Sequence, residues 1–301
     1  MKVTILGCGS ALPTMHHNNA AQVVEVEGNL YLIDCGEGTQ VWLRRSKLSF
    51  SRIAAVFITH IHGDHVFGLI GLISSFNLLG RDKPLHIFAP KELEDILSTQ
   101  IRMFCHDLSY EIVFHVVDTK QNAVIYEDEK VSVCSLPLSH RMPCAGFIVS
   151  EKRKLPHIRR EMIDFYKIPE YKIKDIKNGN DYVTPEGETI PFTRLTTPAE
   201  PPRSYAYCSD TRYLPDLHKS LDGVHVLYPA ATYANDRKEM AARYFHSTAE
   251  EAAKVAKAAQ VERLYIGHYS QRYMDENILL DEAKAVFPNT FLTYENMEIK
   301  V

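Results

Sequence analysis

The segment Thr59–His65, with the sequence THIHGDH, constrains this chain more than any other stretch. It contains three histidines and one aspartate, between an apolar run at 53–58 that is typical of a buried strand and a helix-like apolar run at 66–79. A strand fixes the backbone, and the turn after it directs several side chains to one place. Imidazole and carboxylate groups suit zinc and related divalent ions. The alternative is a polar loop with histidines by chance; we favour a metal site.

Spacing within this segment favours two ions. His60 and His62 are two residues apart, so they share a face of an extended chain. Asp64 and His65 begin the next element and can face a second ion. Two ions about 4 Å apart commonly catalyse displacement at phosphorus. The segment therefore predicts a metal-dependent hydrolase.

Composition places the chain among ordinary globular proteins. It has 301 residues, 45% hydrophobic and 24% charged, which is enough for a large core in one or two domains. The six cysteines are scattered, so we expect buried free thiols of a reducing compartment. Residues 1–7 predict a strand rather than a signal peptide, and no apolar run approaches the ~20 residues of a membrane span. We expect a cytoplasmic protein without a membrane partner.

Charge is unevenly distributed along the chain. The net charge of −4 argues mildly against a nucleic-acid partner. Residues 151–180, however, contain nine Lys or Arg against five Asp or Glu, a local charge of +4. Salt screens charges beyond roughly 10 Å, so a local basic patch can bind phosphates on an acidic chain. The stretch 151–200 is charged, contains prolines and is weakly apolar, and we interpret it as an inserted basic arm.

Strand-like and helix-like patterns follow one another in both halves of the chain. Strands are predicted at 3–6, 21–27, 30–33, 53–58, 85–89, 111–117, 123–126, 130–136, 145–149, 204–208, 224–227, 263–266 and 290–294, and helices at 39–45, 66–79, 91–103, 247–259 and 275–286. This order predicts an α/β fold of two packed sheets with helices outside. Ligand-type residues recur at strand ends, at His140, Asp210 and His268 as well as in the first segment. Loops at one edge of the sheets can gather them into one cleft.

These motifs resemble those of the metallo-β-lactamase superfamily and, within it, the ribonuclease Z family, endonucleases that remove the 3′ trailer of precursor tRNA. The resemblance covers almost the whole chain and is carried by Asp34 in LIDCGEGTQ, the Thr59–His65 signature, Gly68-Leu69, Ser74-Ser75, Ser139-His140, Cys208–Thr211, His246–Thr248 and Gly267–Tyr273. It implies a metallo-β-lactamase αββα sandwich: one domain, 1–301, with the arm inserted at about 151–200.

The resemblance also implies a complete set of metal ligands. One zinc would be held by His60, His62 and His140, the other by Asp64, His65 and His268, and Asp210 would bridge them. Other divalent metals are alternatives to zinc. Seven protein ligands leave an open position for a metal-bound hydroxide that attacks the phosphodiester.

Further roles follow from the same resemblance. Asp64 would orient or deprotonate the attacking water, and His246 would contact the scissile phosphate and protonate the leaving oxygen. Ser270 and Arg272 would bind phosphate, and Asp34 would hold the ligand loop from behind the metal. The alternatives are a plain turn aspartate at Asp34, a histidine that only touches a helix N-terminus, and a surface arginine.

Three departures from the family pattern stand out. The family usually has His-Glu-Ala-Thr-Phe/Tyr where this chain has Pro229–Tyr233, so Ala230 provides no carboxylate to support His246. Phe76 follows Ser74-Ser75 where arginine is usual, and the stretch 168–174 lacks the glycine-proline motif of family arms. We expect an assembled metal site with reduced turnover.

Three functions remain open at this stage. The first is a zinc-dependent endoribonuclease acting on precursor tRNA, as a homodimer in which one subunit's arm serves the other. The second is a small-molecule phosphodiesterase of the same superfamily, which would not need the basic stretch 151–180. The third is a weakly active metal- and RNA-binding relative, suggested by Ala230.

Overall fold

Two seven-stranded sheets form most of the computed structural model, which describes residues 1–105 and 107–301. The strands are β1 Lys2–Gly7, β2 Ala21–Val26, β3 Asn29–Ile33, β4 Ile53–Phe57, β5 Leu85–Ala89, β6 Ile112–Val116, β7 Ala123–Glu127, β8 Val131–Pro137, β9 Ala145–Glu151, β10 His157–Ile158, β11 Tyr182–Val183, β12 Thr189–Ile190, β13 Thr196–Thr197, β14 Ser204–Cys208, β15 Val226–Pro229, β16 Arg263–Ile266, β17 Thr290–Leu292 and β18 Glu298–Lys300. The α-helices are α1 Thr39–Arg45, α2 Gly63–Val66, α3 Leu69–Leu78, α4 Glu92–Phe104, α5 Arg160–Tyr166, α6 Glu170–Lys177, α7 Phe192–Leu195, α8 Lys238–Tyr244, α9 Ala249–Ala258 and α10 Asn277–Val286. The predicted α/β fold class is confirmed.

Each large sheet combines antiparallel and parallel strands. The first has the order β18-β1-β2-β3-β4-β5-β6, in which β3 to β6 run parallel. The second has the order β17-β16-β15-β14-β9-β8-β7, in which β14 to β17 run parallel. The carboxyl ends of neighbouring parallel strands lie at one edge of a sheet, and the loops after them are where ligands bind in such sheets.

Alternating side chains on the strands build the layers. On β3, Tyr31 and Ile33 lie in the core between the sheets, which they share with Phe147 of β9. Leu30 and Leu32 point to the opposite face and pack in a second core. Successive strand side chains face opposite sides, so one apolar strand can serve both cores.

Helices cover the outer faces of both sheets. Ile73 of α3 and Leu93 of α4 belong to the core on the outer face of the first sheet. Ala253 of α9 and Leu279 of α10 pack with residues of the second sheet. The sequence of layers is helix, sheet, sheet, helix, which is the αββα sandwich expected from the sequence.

The chain divides into two compact units, one formed by Met1–Glu151 with Arg203–Val301 and the other by Lys152–Pro202. The second unit contains α5 to α7 and two short antiparallel ribbons, β10 with β13 and β11 with β12. It has its own apolar cluster, formed by Ile168, Ile176, Tyr182, Ile190 and Leu195. This cluster was not foreseen, because its members are widely spaced in a polar stretch. The interpretation as one domain with an inserted arm stays a prediction.

Most predicted elements are present, and some boundaries differ. The single helix expected at 66–79 is two helices, α2 and α3, separated at Phe67-Gly68. Helix α8 and strand β18 were not predicted. Within the part of the chain that the structure describes, no helix is long and apolar enough to span a bilayer.

Candidate metal centre

The seven side chains predicted as metal ligands lie together at the ends of strands. They come from the loops after β4, β8, β14 and β16 and from α2. They form two groups, and within each group the ligand atoms lie within 4.8 Å of one another. The first group is His60, His62, His140 and Asp210. The second group is Asp64, His65 and His268. The family resemblance implies the same two groups with Asp210 as a bridge, and their role as ligands stays a prediction.

Three imidazoles of the first group face a common point. His62 Nδ1 lies 3.0 Å from His60 Nε2 and 3.2 Å from His140 Nε2. Asp210 Oδ2 lies 3.7 Å from His60 Nε2 and 3.8 Å from His140 Nε2. These nitrogen lone pairs converge at distances that a single small cation between them would bridge.

The second group shares Asp210 with the first. Asp64 Oδ2 lies 3.5 Å from His65 Nε2 and 3.7 Å from His268 Nε2. Asp210 Oδ1 lies 3.1 Å from His268 Nε2, and its Oδ2 lies 3.9 Å from His65 Nε2. The Asp210 carboxylate therefore stands between the two groups, as a bridging ligand would.

Buried polar atoms at the centre test whether a cation fits. Within the described residues, His65 Nε2, His268 Nε2 and Asp210 Oδ1 are buried without a hydrogen-bond partner, since the 3.1 Å contact between the last two lacks hydrogen-bond geometry. An orphaned buried donor or acceptor costs about 1–3 kcal/mol. A metal ion would satisfy all three atoms at once, so the donor set fits a divalent cation.

Asp34 lies behind the second group and is fully buried. Its Oδ2 accepts a hydrogen bond from His65 Nδ1 at 2.7 Å and from the Tyr207 hydroxyl at 3.0 Å, and its Oδ1 accepts from Thr59 N at 2.9 Å. A proton held on His65 Nδ1 leaves the Nε2 lone pair free for an ion. Asp34 is therefore not an isolated turn aspartate, and the role that the resemblance implies for it, holding the ligand loop behind a metal, stays a prediction.

The remaining imidazoles are oriented by groups that the sequence did not reveal. His140 Nδ1 donates to the carbonyl oxygen of Phe245 at 3.0 Å, and His268 Nδ1 lies 3.0 Å from the Thr232 hydroxyl. His60 Nδ1 lies 3.0 Å from the Thr59 hydroxyl. Thr59 begins the Thr59–His65 segment and Thr232 lies in the stretch Pro229–Tyr233, so their positions in these motifs could have indicated their contacts with histidines. A backbone carbonyl leaves no signal in the sequence.

Three non-glycine residues at this site have left-handed backbone conformations. Asp34, Phe245 and His268 have φ angles of 57°, 60° and 62°. Residues with a Cβ rarely adopt such angles, and they cost of order 1–3 kcal/mol each. The fold therefore holds three residues that contact or form the site in strained conformations.

The carboxylates and histidines of the site shift each other's pKa values. Burial alone would raise the pKa of Asp210, but His268 and His246 hold it well below its usual range. Burial lowers the pKa of His60 well below its usual value, with His65 adding to the effect. Burial also opposes the charge on His65, yet the Asp34 and Asp64 carboxylates raise its pKa to about 10. The carboxylates are therefore ionised and His60 is neutral at pH 7, whereas His65 is protonated, so a divalent cation would have to displace its Nε2 proton on binding.

His246 lies beside the ligands at the floor of the cleft. Its Nδ1 is 3.4 Å from the Thr232 hydroxyl and 3.9 Å from Asp210 Oδ2. Burial lowers the pKa of His246 to about 4, although Asp210 opposes the shift, so its imidazole is neutral at pH 7. Position 230, where the resemblance expects a glutamate, holds the buried Ala230, and Thr232 supplies the polar contact.

Four of the proposed ligands, His62, Asp64, His140 and Asp210, open onto one cleft of about 570 Å³. Both predicted phosphate-binding residues line it; Ser270 is buried and Arg272 is exposed. Arg141 also lines the cleft, with its guanidinium carbon 4.8 Å from the Tyr244 ring centre, and sequence reasoning missed it. Two arginines near a cation site suit an anionic substrate with a phosphate group.

Two facing groups of imidazole and carboxylate donors, at the strand ends of an αββα sandwich, define a metallohydrolase of the metallo-β-lactamase fold. A model of the family described as "Anti-Pycsar protein Apyc1" matches residues 1–153. That match includes the Thr59–His65 segment and stops before Asp210, His246 and His268.

Relatives that span both halves of the chain identify the family. The "Ribonuclease Z" of Bacteroides fragilis is 54% identical over 297 residues, which are 99% of this chain and 98% of the relative. The solved structure of human tRNase Z, short form, is 26% identical with a TM-score of 0.72 and covers 100% of this chain and 99% of that one. The metallo-beta-lactamase fold protein YhfI from Bacillus subtilis, 15% identical, matches the fold with a TM-score of 0.70 over 99% of both chains. This chain belongs to the ribonuclease Z family.

Family membership settles the class of activity. The chain is an endoribonuclease, a phosphodiesterase of the metallo-β-lactamase superfamily. A metal cofactor follows from the same membership and from the histidine and aspartate clusters.

Proposed function

We propose that this endoribonuclease uses two zinc ions and removes the 3′ trailer of precursor tRNA. The observation that carries the proposal is the convergence of seven ligand side chains, four of which line one cleft together with His246, Ser270 and Arg272. The names of the relatives, "Ribonuclease Z" and "tRNase Z", support the choice of tRNA.

The proposed zinc ligands follow the two groups of donors. His60, His62 and His140 would hold one ion, Asp64, His65 and His268 the other, and Asp210 would contact both. When bound, zinc lowers the pKa of a coordinated water to about 7 and neutralises phosphate charge.

Asp64 is proposed to orient the attacking water. Its Oδ2 accepts a hydrogen bond from the backbone N–H of Ala11 at 2.8 Å. Burial would raise the pKa of Asp64, but His65 and His268 hold it far below its usual range, so it stays ionised. A fixed carboxylate with remaining lone pairs can accept a hydrogen bond from water and aim its oxygen at phosphorus.

His246 is proposed to act on the leaving-group side. In the free protein the low pKa leaves it neutral, with one N–H to donate to a phosphate oxygen. The negative charge of a bound phosphodiester raises the pKa of a neighbouring imidazole, which favours the protonated form that can donate to the 3′ leaving oxygen. Arg272 and Ser270 would hold the same phosphate in place.

The second unit supports a large RNA substrate over a small molecule. Residues 151–180 carry a net charge of +4, and Phe165 and Tyr171 expose 73% and 75% of their surface. Basic side chains neutralise phosphates, and exposed aromatic rings stack on unpaired bases. A small phosphodiester would use neither.

We extend the proposal to a cytoplasmic homodimer. The resemblance implies the dimer, with one subunit's arm serving the other. All six cysteines are free thiols, which suits a reducing compartment.

The test uses a precursor tRNA with a 3′ extension and a small phosphodiester, bis(p-nitrophenyl) phosphate. Cleavage should fall where the mature tRNA ends, and His62→Ala should abolish it and lower the metal content. His246→Ala should lower the rate by about 10²–10⁴-fold, the usual contribution of general acid catalysis, with unchanged metal content.

His86→Ala is the matched control, because His86 lies on β5 and pairs with His115 at 3.0 Å. Full activity of His62→Ala, or a higher kcat/KM on the small diester than on RNA, would contradict the proposal.

A further inference from the structure

A second set of metal-type side chains lies outside the seven ligands. Cys8 follows β1, His17 precedes β2, and Glu295 lies between β17 and β18. His17 Nδ1 is 3.3 Å from Cys8 Sγ and 3.1 Å from Glu295 Oε2, and Cys8 Sγ is 3.7 Å from Glu295 Oε1. A thiol, an imidazole and a carboxylate therefore meet although they are far apart in the sequence.

This set borders a different cavity from the metal cleft. His17, Glu276 and Glu295 line a cavity of about 560 Å³. Ser270 and Gln271 line both this cavity and the cleft. The set thus neighbours the metal centre without belonging to it.

The distances within the set fit a zinc-type ion. Zinc binds nitrogen and oxygen at about 2.0–2.2 Å and sulfur at about 2.3 Å, so neighbouring ligands of a tetrahedral site are roughly 3.3–3.7 Å apart. Two of the three separations, 3.3 Å and 3.7 Å, lie in this range, and the third, 3.1 Å, is slightly shorter; the two contacts of Glu295 are made by different carboxylate oxygens. Thiolate and imidazole together select zinc and its neighbours over calcium or magnesium.

Surrounding groups orient the donors. His17 Nε2 lies 3.1 Å from Glu276 Oε1, so a proton on Nε2 is held by a carboxylate and the Nδ1 lone pair can face an ion. Glu295 Oε1 accepts a hydrogen bond from Asn18 N at 2.8 Å, which fixes that carboxylate. Carboxylate–histidine–metal arrangements of this kind are common in zinc sites.

A nucleophilic cysteine is the other chemistry that such a trio suggests. Cys8 is only 1% exposed, and burial raises the pKa of its thiol well above the ordinary value. A buried neutral thiol is a poor nucleophile and no substrate atom can reach it. A metal ligand must also be a thiolate, but an ion that enters beside His17 and Glu295, which line the cavity, would itself displace the thiol proton.

We propose that Cys8, His17 and Glu295 bind one zinc-type divalent ion in addition to those of the cleft. The ion joins both ends of the loop between β1 and β2 to the turn between β17 and β18. That loop contains Ala11, whose N–H donates to Asp64 Oδ2 at 2.8 Å. The site therefore anchors a loop that orients a residue of the metal cleft.

Cobalt substitution tests the proposal without reading activity. The cleft ligands are imidazoles and carboxylates, so a thiolate-to-cobalt charge-transfer band in the near ultraviolet reports a cysteine ligand. The Co²⁺-loaded full-length protein should show this band, and Cys8→Ser should remove it together with one bound ion. Cys144→Ser is the matched control, since Cys144 is also buried and its Sγ lies 3.8 Å from His60 Nδ1. That variant should keep the band.

A second variant covers the case in which Cys8→Ser fails to fold. Glu295→Gln keeps the thiol and should weaken the cobalt affinity measured from the band at least about 10-fold. A wild-type protein without the band, a band that persists in Cys8→Ser, or an unchanged affinity in Glu295→Gln would overturn the proposal. His62→Ala should retain the band while losing RNA cleavage. The band and the cleavage assay therefore test this site and the proposed function separately.

Discussion

The hydroxyl of Thr232 lies between two histidines of the cleft. It is 3.0 Å from His268 Nδ1 and 3.4 Å from His246 Nδ1. Partners of this kind set the tautomer and orientation of a ligand imidazole, and removing them typically costs 10–100-fold in metal affinity or activity. One side chain thus links a proposed zinc ligand to the proposed acid.

Thr232→Val should weaken metal binding in the cleft about 10–100-fold, because the isosteric methyl group cannot hold His268 Nδ1. The measurement is the metal concentration that restores bis(p-nitrophenyl) phosphate hydrolysis to the metal-free protein, which reports the cleft alone. Thr232→Ser keeps the hydroxyl and should behave as wild type. Equal affinities for the valine and serine variants would show that the hydroxyl does not orient His268.

A metal site was predictable where metal-type side chains lie close together in the sequence. Three histidines and an aspartate within Thr59–His65 indicate a metal site with little ambiguity. Phe245 contacts His140 only through its backbone carbonyl oxygen, and Arg141 is known only from its place in the lining of the cleft. Neither contact corresponds to a recognisable sequence pattern. Cys8 and Glu295 are 287 residues apart, so only the fold brings them together.

At the scale of elements, the junction of α2 and α3 lies close against the backbone of a distant turn. A Cβ at Gly68 would lie 2.0 Å from the carbonyl oxygen of Gly36, and Gly68 N donates to Cys35 O at 2.9 Å. The apolar pattern at 66–79 cannot reveal this approach of a distant turn, so the sequence predicted one continuous helix. The short α2 contains Asp64 and His65.

Gly68→Ala should lower the free energy of unfolding by about 1–3 kcal/mol or more, as forced overpacking does, because a backbone oxygen cannot yield as a side chain can. Gly71→Ala is the control within α3, where the new Cβ would meet the flexible Gln40 side chain at 3.0 Å. Replacing a helical glycine gains up to about 1 kcal/mol in propensity. Urea denaturation of both variants gives the comparison. Equal stability of the two would contradict the steric account.

The turn between β7 and β8 depends on the ionised carboxylate of Asp128. It accepts hydrogen bonds from the hydroxyls of Tyr31 and Tyr126 at 2.6 and 2.9 Å and from the N–H groups of Lys130 and Val131 at 2.7 and 2.8 Å. Burial alone would raise the pKa of Asp128, but these four donors, Tyr31 foremost, hold it below the usual value. A depressed pKa means that the carboxylate stabilises the fold only while it is ionised.

Asp128→Asn should therefore destabilise the protein by about 1–2 kcal/mol at pH 7, allowing for the solvent around a half-buried group. The stability that Asp128 contributes is fully present above the pKa of the unfolded state, near 3.9, and is lost as pH falls through the lower folded value. Unfolding free energies of wild type and variant, measured between pH 7 and pH 3, should move closer together as the pH falls below about 4. A constant difference across that range would exclude ionisation as the cause.

At the scale of the whole molecule, strand alternation made the sandwich predictable. Strands such as β3 must face two cores, and that requirement appears directly as apolar side chains on both faces. The second unit was harder to predict, because its cluster draws single residues from α6, β11, β12, α7 and the loop between α5 and α6. Its basic charge was visible in the sequence and its apolar centre was not.

The pairing of β9 with β14 allows the second unit to be removed cleanly. Ser150 is paired with Ser204, and Glu151 N donates to Arg203 O at 2.8 Å, so the two cut ends are neighbours. Replacing Lys152–Pro202 by Asn-Gly would close a hairpin between these antiparallel strands. The core of the first unit contains no residue of the replaced segment.

This replacement should weaken binding of precursor tRNA and leave hydrolysis of bis(p-nitrophenyl) phosphate largely intact, because the basic stretch lies in the second unit and the ligands in the first. Each lost phosphate contact should reduce the slope of log affinity against log salt by about 0.7–0.9.

The matched variant Lys172→Gln/Lys174→Gln/Lys177→Gln keeps α6 and the apolar cluster while removing three charges. It should lower the slope in the same direction by a smaller amount. Equal loss of both activities on removal of the unit would mean that Lys152–Pro202 supports the catalytic fold itself, and an unchanged slope in the triple variant would mean that α6 does not contact RNA.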